Sequence, residues 1–331
     1  MKSFSITAAL AGAIAIGAAG TAQAWQPNKP VEFVVTSGAG GGTDNFARMI
    51  QSIISKHKLI DQPIVVVNKG GGSGAEGYIH GKAGKGDAHR VVFGTNNAYL
   101  LPYVAKLGYK PSDLTPVAAL ALDEFLLWVN GDSPWTAPKD FIEAAKAKPG
   151  ALKIAGSQSK DTDQTLTMMI QDATGAKIIY VPFQGGNAAA VQLAGGHVDG
   201  NLNNPNENIG QWKAGKVKPL CVFSPVRLAK GEPVFGGKGW GDIPTCKESG
   251  LPIETFQMPR TVWLPAEVPA DAVAFYEGVL EKVSKTPEWQ EFVTRTAQTG
   301  TFLKGKALTD FIAKDDAANK KIFQAEGWIV N

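Results

Sequence analysis

An α/β fold with mostly parallel sheets, divided between two lobes, is the fold class this 331-residue sequence predicts. Three observations carry it. Short Val/Ile/Leu/Phe runs without polar alternation read as strands buried on both faces. Stretches with apolar residues at helical spacing separate them. The strand-like runs also end repeatedly in turns rich in Gly or in Ser, Thr and Asn.

Lys2 is the only charge in Met1–Ala24, an apolar Ala-rich stretch runs from Ile6 to about Ala19, and Ala22-Gln23-Ala24 has the small-x-small pattern of a signal-peptidase site. Residues 1–24 therefore read as a cleavable signal peptide, which sends the remainder to the periplasm. The apolar core is too short and too rich in Ala and Gly for a good membrane span. No Cys follows it, so no lipid anchor is expected. Residues 25–331 contain no apolar stretch of about 18 residues, and their length suits two domains.

The predicted strands are Val31–Thr36, Ile64–Asn68, Arg90–Gly94, Phe125–Val129, Lys153–Ala155, Lys177–Phe183, Leu220–Ser224 and Thr261–Leu264. In Thr43–His57, the residues Phe46, Met49, Ile50, Ile53 and Ile54 make one apolar helix face. Asp163–Thr174 carries a shorter stripe closed by Gly175. Ala270–Lys285, a segment after Thr286-Pro287 and Lys306–Ala325 complete the helices. Phe125–Val129 and Leu220–Arg227 look like crossings between lobes. That divides the chain into a discontinuous terminal lobe, 25–125 plus 227–331, and a central lobe, 126–226.

Lys and Arg number 33 against 30 Asp and Glu, for a net charge of +3. The basic residues are scattered, so no nucleic-acid partner is expected. The four histidines lie apart from one another and from any Cys or carboxylate pair at metal-ligand spacing, so neither a metal nor a cofactor is expected. No G-x-S-x-G elbow is present, and an enzyme is not expected. Cys221 and Cys246 are the only cysteines. In an oxidising compartment they read equally as a disulfide or as two buried thiols.

The most specific local feature is Ser37-Gly38-Ala39-Gly40-Gly41-Gly42-Thr43-Asp44, between a strand and a helix. Glycines let the backbone come close to a ligand, and a helix start offers unpaired N–H groups to an anion. It is neither a Walker loop nor a dinucleotide fingerprint. Gly70-Gly71-Gly72-Ser73-Gly74 and Thr95-Asn96-Asn97 end the next two strands. The central region repeats the theme with Gly156-Ser157-Gln158-Ser159, Gln184-Gly185-Gly186-Asn187 and the amides Asn201, Asn203 and Asn204. Ligands of open α/β sheets sit beyond the carboxyl ends of strands. Two facing sets of such turns describe a cleft, with Ser37, Asn96, Gln158, Asn203 and Asn204 among its candidate contacts. Arg260, at the return to the terminal lobe, reads equally as a partner for a ligand carboxylate or as an ion pair with an acidic residue.

In these loops the chain resembles the extracytoplasmic solute-binding receptors of tripartite tricarboxylate transporters, the Bug family. Ala39-Gly40-Gly41-Gly42-Thr43-Asp44 is similar to the family's P-G-G-G-T-D. Val66-Val67-Asn68-Lys69-Gly70-Gly71-Gly72-Ser73-Gly74 is similar to V-V-x-N-R-P-G-A-G-G, and Asp113–Ala118 to the approach to the first crossing. Val181-Pro182-Phe183-Gln184-Gly185-Gly186 resembles V-P-Y-K-G-G, and Ile243–Gly250 resembles V-P-T-x-x-E-x-G.

The resemblance implies a two-lobe periplasmic-binding-protein fold of the Venus-flytrap, type II-like kind with a central cleft. It implies that Ala39, Gly40, Gly41, Gly42 and Thr43 hold one ligand carboxylate, partly through water, while Asp44 pins their loop. Ser157, Gln184, Gly185 and Gly186 face them from the central lobe. The expected function is a monomeric receptor that delivers a di- or tricarboxylate, aliphatic or aromatic, to the membrane subunits of a secondary transporter. The alternatives are a receptor serving a membrane signalling protein and a hydrolase with an unrecognised polar site.

Overall fold

The computed structural model describes residues 25–183 and 185–330. The expected signal peptide, Met1–Ala24, and the loop residue Gln184 lie outside them.

In the first lobe β1 (Val31–Val35) pairs in parallel with β2 (Ile64–Asn68) on one side and β3 (Arg90–Gly94) on the other. Between β1 and β2 runs α1 (Gly42–Lys56), whose Phe46, Ile50, Ile53 and Ile54 are buried on one face. That face packs on Phe33 and Phe93 of the sheet. On the strand pattern alone α2 (Ala75–Ala83) and α3 (Asn97–Val104) had no apolar stripe to betray them; they follow β2 and β3.

The eleven-residue β4 (Leu114–Glu124) is absent from the sequence-based strand list. Its alanines favour strands poorly, yet Val117 to Ala121 are wholly buried between neighbouring strands. After Phe125 the chain enters the second sheet as β5 (Leu126–Asn130). The second lobe continues with α4 (Pro138–Ala147), β6 (Lys153–Ser157), α5 (Thr162–Thr174), β7 (Ile179–Phe183), α6 (Gly186–Ala194), β8 (Gly200–Asn203), α7 (Pro205–Lys213) and β9 (Val217–Val222). The chain returns to the first sheet through β10 (Gln257–Pro265), then α8 (Ala270–Ser284), α9 (Pro287–Arg295), β11 (Thr299–Lys304) and α10 (Gly305–Ala325).

The strand orders are β11-β4-β10-β3-β1-β2 and β7-β6-β8-β5-β9. Each sheet is mixed rather than mostly parallel. β10 runs antiparallel to both β3 and β4, and β5 runs antiparallel to both β8 and β9. Connectivity explains this: a strand that leaves a lobe and a neighbouring strand that re-enters it must point in opposite directions.

The return crossing comes later than Leu220–Arg227. β9 stays in the second sheet, and Cys221 and Cys246 are joined as a disulfide with Cα atoms 4.8 Å apart. Cys246, Leu251 and Ile253 sit in the core with Leu127 and Phe223. Trp240 packs edge-on against Trp128 and Trp212. Leu228, Trp240, Ile243, Leu251 and Ile253 are thus buried against the second sheet, not the first, while Phe235 stays exposed. The chain re-enters the first sheet where Gln257 faces Glu124 across the β10–β4 ladder. The lobes also touch through α5 and α10, where Met168 joins the cluster holding Phe323 and Trp328.

Candidate functional site

A cavity of about 240 Å³ lies between the lobes, at the carboxyl ends of β1 to β3 and facing β6, α5 and α7. Its first-lobe wall is the glycine turn. Gly40 has a left-handed φ of 77°, and its N–H donates to Asp44 Oδ2 at 2.9 Å. Asn68 Nδ2 donates to Asp44 Oδ1 (2.9 Å) and to the Ser37 carbonyl (3.1 Å), and Arg48 Nε donates to Asp44 at 2.9 Å. Burial opposes the Asp44 charge, but Arg48, the Gly40 N–H and Asn68 together hold its carboxyl below the usual carboxylate range. With Asp44 committed to these partners, no side chain caps α1. Gly42 and Thr43 line the cavity with the positive end of the helix dipole and unpaired first-turn N–H groups. A Cβ on Gly70 would stand 2.7 Å from the Gly38 nitrogen, so only glycine lets the second turn rest on the first.

Arg260 closes this wall. It is 5% exposed, donates from Nη1 to Thr43 Oγ1 at 2.8 Å and pairs through Nη2 with Asp123. Its guanidinium lies over Gly42, where any Cβ would overlap it. Arg260 Nε is buried without a hydrogen-bond partner.

The second-lobe wall is acidic. Asp161 caps α5, accepting from the Thr162 N–H at 2.7 Å. Asp163 Oδ2 accepts from the Ser157 N–H at 2.5 Å and from its hydroxyl at 2.9 Å. Glu207 accepts from the Asn204 N–H at 3.2 Å and lies over Gly186 at the start of α6, where a Cβ would overlap its carboxyl group. Burial raises the pKa of Asp161. Burial and then the nearby Glu207 raise that of Asp163 strongly. Burial pushes Glu207 up to about 7, with Asp123 adding and Arg260 opposing. Hydrogen bonds also join the lobes at the cavity: the Ser73 hydroxyl donates to Gln158 Oε1, and Asn97 Nδ2 reaches Asp161 Oδ2 at 3.5 Å. Among the described residues no group of three or more His, Cys, Asp or Glu could hold a metal ion.

A family model described as "Tripartite tricarboxylate transporter family receptor" matches residues 46–328. The chain belongs to this family. It is thus a solute-binding receptor of the tripartite tricarboxylate transporter class, whose members are periplasmic. It is 27% identical over 307 residues to a Cupriavidus necator protein described as "UPF0065 protein in gbd 5'region", covering 91% of this chain and 88% of the relative. It is 28% identical to protein BugT of Bordetella pertussis, covering 68% of this chain and 67% of the relative. The structure is similar to a TctC solute-binding protein from Polaromonas, with a TM-score of 0.72 and 27% identity over 90% of this chain and 99% of that one. It is also similar to R. palustris Rpa4515 with adipate, with a TM-score of 0.77 and 25% identity over 91% of this chain and 98% of that one.

Of the residues expected at the site of this receptor, Ser37, Gly42, Thr43, Ser157, Gln158, Asn204 and Arg260 line the cavity. Ala39 and Gly40 are exposed on the outside of the turn, and Gly41 is the N-cap position of α1. Asp44 is buried behind the turn. Asn96 is turned away: its amide donates to Asp315 Oδ2 of α10 at 3.3 Å, and its neighbours Thr95 and Asn97 line the cavity instead. Asn203 is buried between the Gly186 carbonyl (2.7 Å) and Asn208 Oδ1 (2.8 Å), so it braces the α6 turn. Gly185 takes a φ of 98° at the start of that turn, and Gly186 lies beneath Glu207. Arg260 pairs with an acid, Asp123, as one of its two readings has it, and it also lines the cavity.

Sequence reasoning missed Asp161, Asp163 and Glu207. The signals were present but structural. Asp161 and Asp163 open a helix just after a polar turn, and Asn204-Pro205-Asn206-Glu207 has the spacing of a capping box.

Proposed function

We propose that this receptor captures a small carboxylate between its lobes and delivers it, chemically unchanged, to the membrane subunits of a tripartite tricarboxylate-type secondary transporter. The observation that carries this reading is the uncapped N-terminus of α1 beside Arg260, together forming one wall of the interlobe cavity. First-turn N–H groups and a guanidinium are the donors a carboxylate needs. Ser37, Gly42, Thr43 and Arg260 would take the carboxylate, and Ser157, Gln158 and Asn204 would meet the rest of the ligand. The adipate in the R. palustris neighbour supports the same ligand chemistry. Export through residues 1–24 would place the receptor in the periplasm, where it would work as a monomer. Hinge motion at Phe125 and at the return crossing beside Gln257 would open and close the cavity around the ligand.

A thermal-shift screen of the purified protein against mono-, di- and tricarboxylates, aliphatic and aromatic, tests the reading. At least one should raise the melting temperature, and incubation should return it unaltered. Stabilisation by a sugar but by no carboxylate would sink the proposal, and turnover of a stabilising compound would revive an enzymatic reading.

A further inference from the structure

The two walls of the cavity are opposite in character. The first lobe leaves its helix terminus open: α1 carries no side-chain cap, and the Arg260 guanidinium lies alongside, over Gly42. In the second lobe, the chain's own carboxylates occupy the equivalent groups. Asp163 takes the N–H and hydroxyl of Ser157. Asp161 takes the Thr162 N–H at the start of α5. Glu207 covers Gly186, the first residue of α6, and the absence of a side chain there is what makes room for it. Among the described residues the one arginine lining the cavity, Arg260, belongs to the first wall, and no Lys or His lines it. A second ligand carboxylate would therefore meet three acids, and no cation among the described residues, on the second-lobe wall.

We infer that the ligand carries one carboxylate, seated on the α1 N-terminus and Arg260, and at its other end an ammonium or comparable N–H-bearing cation held by Asp163 and Glu207. The substrate class is a zwitterionic amino carboxylate rather than a dicarboxylate. Asp163 Oδ2 and Glu207 Oε2 accept the bonds described above, which leaves Asp163 Oδ1 and Glu207 Oε1 to receive donors from the ligand. Burial raises the proton affinity of both acids; a bound cation would reverse that shift and displace those protons, so the amino compounds should bind more tightly as the pH rises. This inference rests on the carboxylate-receptor reading above and narrows it.

The test is calorimetric titration near pH 7.5 with matched pairs in which one carboxylate is exchanged for an ammonium. The pairs are succinate with β-alanine, glutarate with γ-aminobutyrate, and adipate with δ-aminovalerate. In at least one pair the amino acid should bind tenfold or more tightly than its dicarboxylate partner. Glu207→Gln and Asp163→Asn should each cut that preference about tenfold, with circular dichroism confirming the fold. Tighter binding of the dicarboxylate in every pair overturns the inference and leaves the receptor reading intact, even if neither variant folds. A preference that survives in folded forms of both variants also overturns it, because the acids would then not be its source. If no compound in either series binds while a neutral solute does, the carboxylate reading fails, and this inference fails with it.

Discussion

Replacing Arg260 with Met removes the positive member of an ion pair that is closed to solvent on both sides. Arg260 is 5% exposed and Asp123 2%. Stranding the Asp123 carboxylate without its partner should cost about 3–5 kcal/mol. Loss of the Arg260 bond to Thr43 Oγ1 at 2.8 Å adds about 1 kcal/mol. The single variant should therefore lose about 4–6 kcal/mol, a large share of the roughly 5–15 kcal/mol that holds a folded protein together. Adding Asp123→Asn removes the stranded charge, so the double variant should recover at least about 2 kcal/mol of that loss. Urea unfolding of the parent, both single variants and the double variant closes the cycle. Calorimetry separates the second role of Arg260: Arg260→Met should weaken carboxylate binding at least tenfold, whereas Asp123→Asn keeps the guanidinium and should retain binding. Additivity within about 0.5 kcal/mol, or a loss below about 1 kcal/mol for Arg260→Met, would refute the buried-pair argument.

Glu124, wholly buried at the crossing, has its carboxyl pushed up to about 7, first by burial and with Asp123 contributing, against hydrogen bonds from Thr299 and Gln257. The folded protein therefore keeps a proton that the unfolded chain releases near 4.5. The stabilisation from this group is complete below about pH 4.5 and is lost as the pH rises through about 7. Glu124→Gln should thus be about 3 kcal/mol more stable than the parent at pH 8 and no more stable at pH 4.5; parallel urea curves at both pH values check the sign. Gly42→Ala puts a Cβ into the Arg260 guanidinium and should weaken carboxylate binding tenfold or more in the same titration. Gly278→Ala, inside α8 where a Cβ meets nothing within 4 Å, should leave binding unchanged and stabilise by about 0.5–1 kcal/mol. Joint replacement of Cys221 and Cys246 by Ala should cost about 3 kcal/mol or more through loss of the closed loop, seen as an earlier urea midpoint; no change would mean that Ile243, Leu251 and Ile253 hold the segment without it.

Much of the first lobe was legible locally. The β1, β2 and β3 runs stand out because they are continuous and apolar, and α1 because its core face repeats at helical spacing. Each signal sits within a few residues. The glycine turn was legible for the same reason, since a strand, a run of glycines and a helix start are adjacent in the chain. β4 was hidden because buried alanines become strand only between two partners, and those partners are β10 and β11. Asn96 and Asn97 are alike in sequence, and a helix more than 200 residues further along the chain decided between them by drawing Asn96 to Asp315.

The sequence alone determined the family, the strand–glycine–helix turn, and the chemistry of a wall rich in N–H groups. Tertiary structure decided what faces that wall. Asp123 and Arg260 lie 137 residues apart and meet through the antiparallel pairing of β4 with β10. Glu207 reaches Gly186 only because α6 and α7 pack together. Hydrophobic periodicity and turn chemistry are short-range properties of a chain. The balance of charge across a cavity depends on which distant segments the folded lobes bring together.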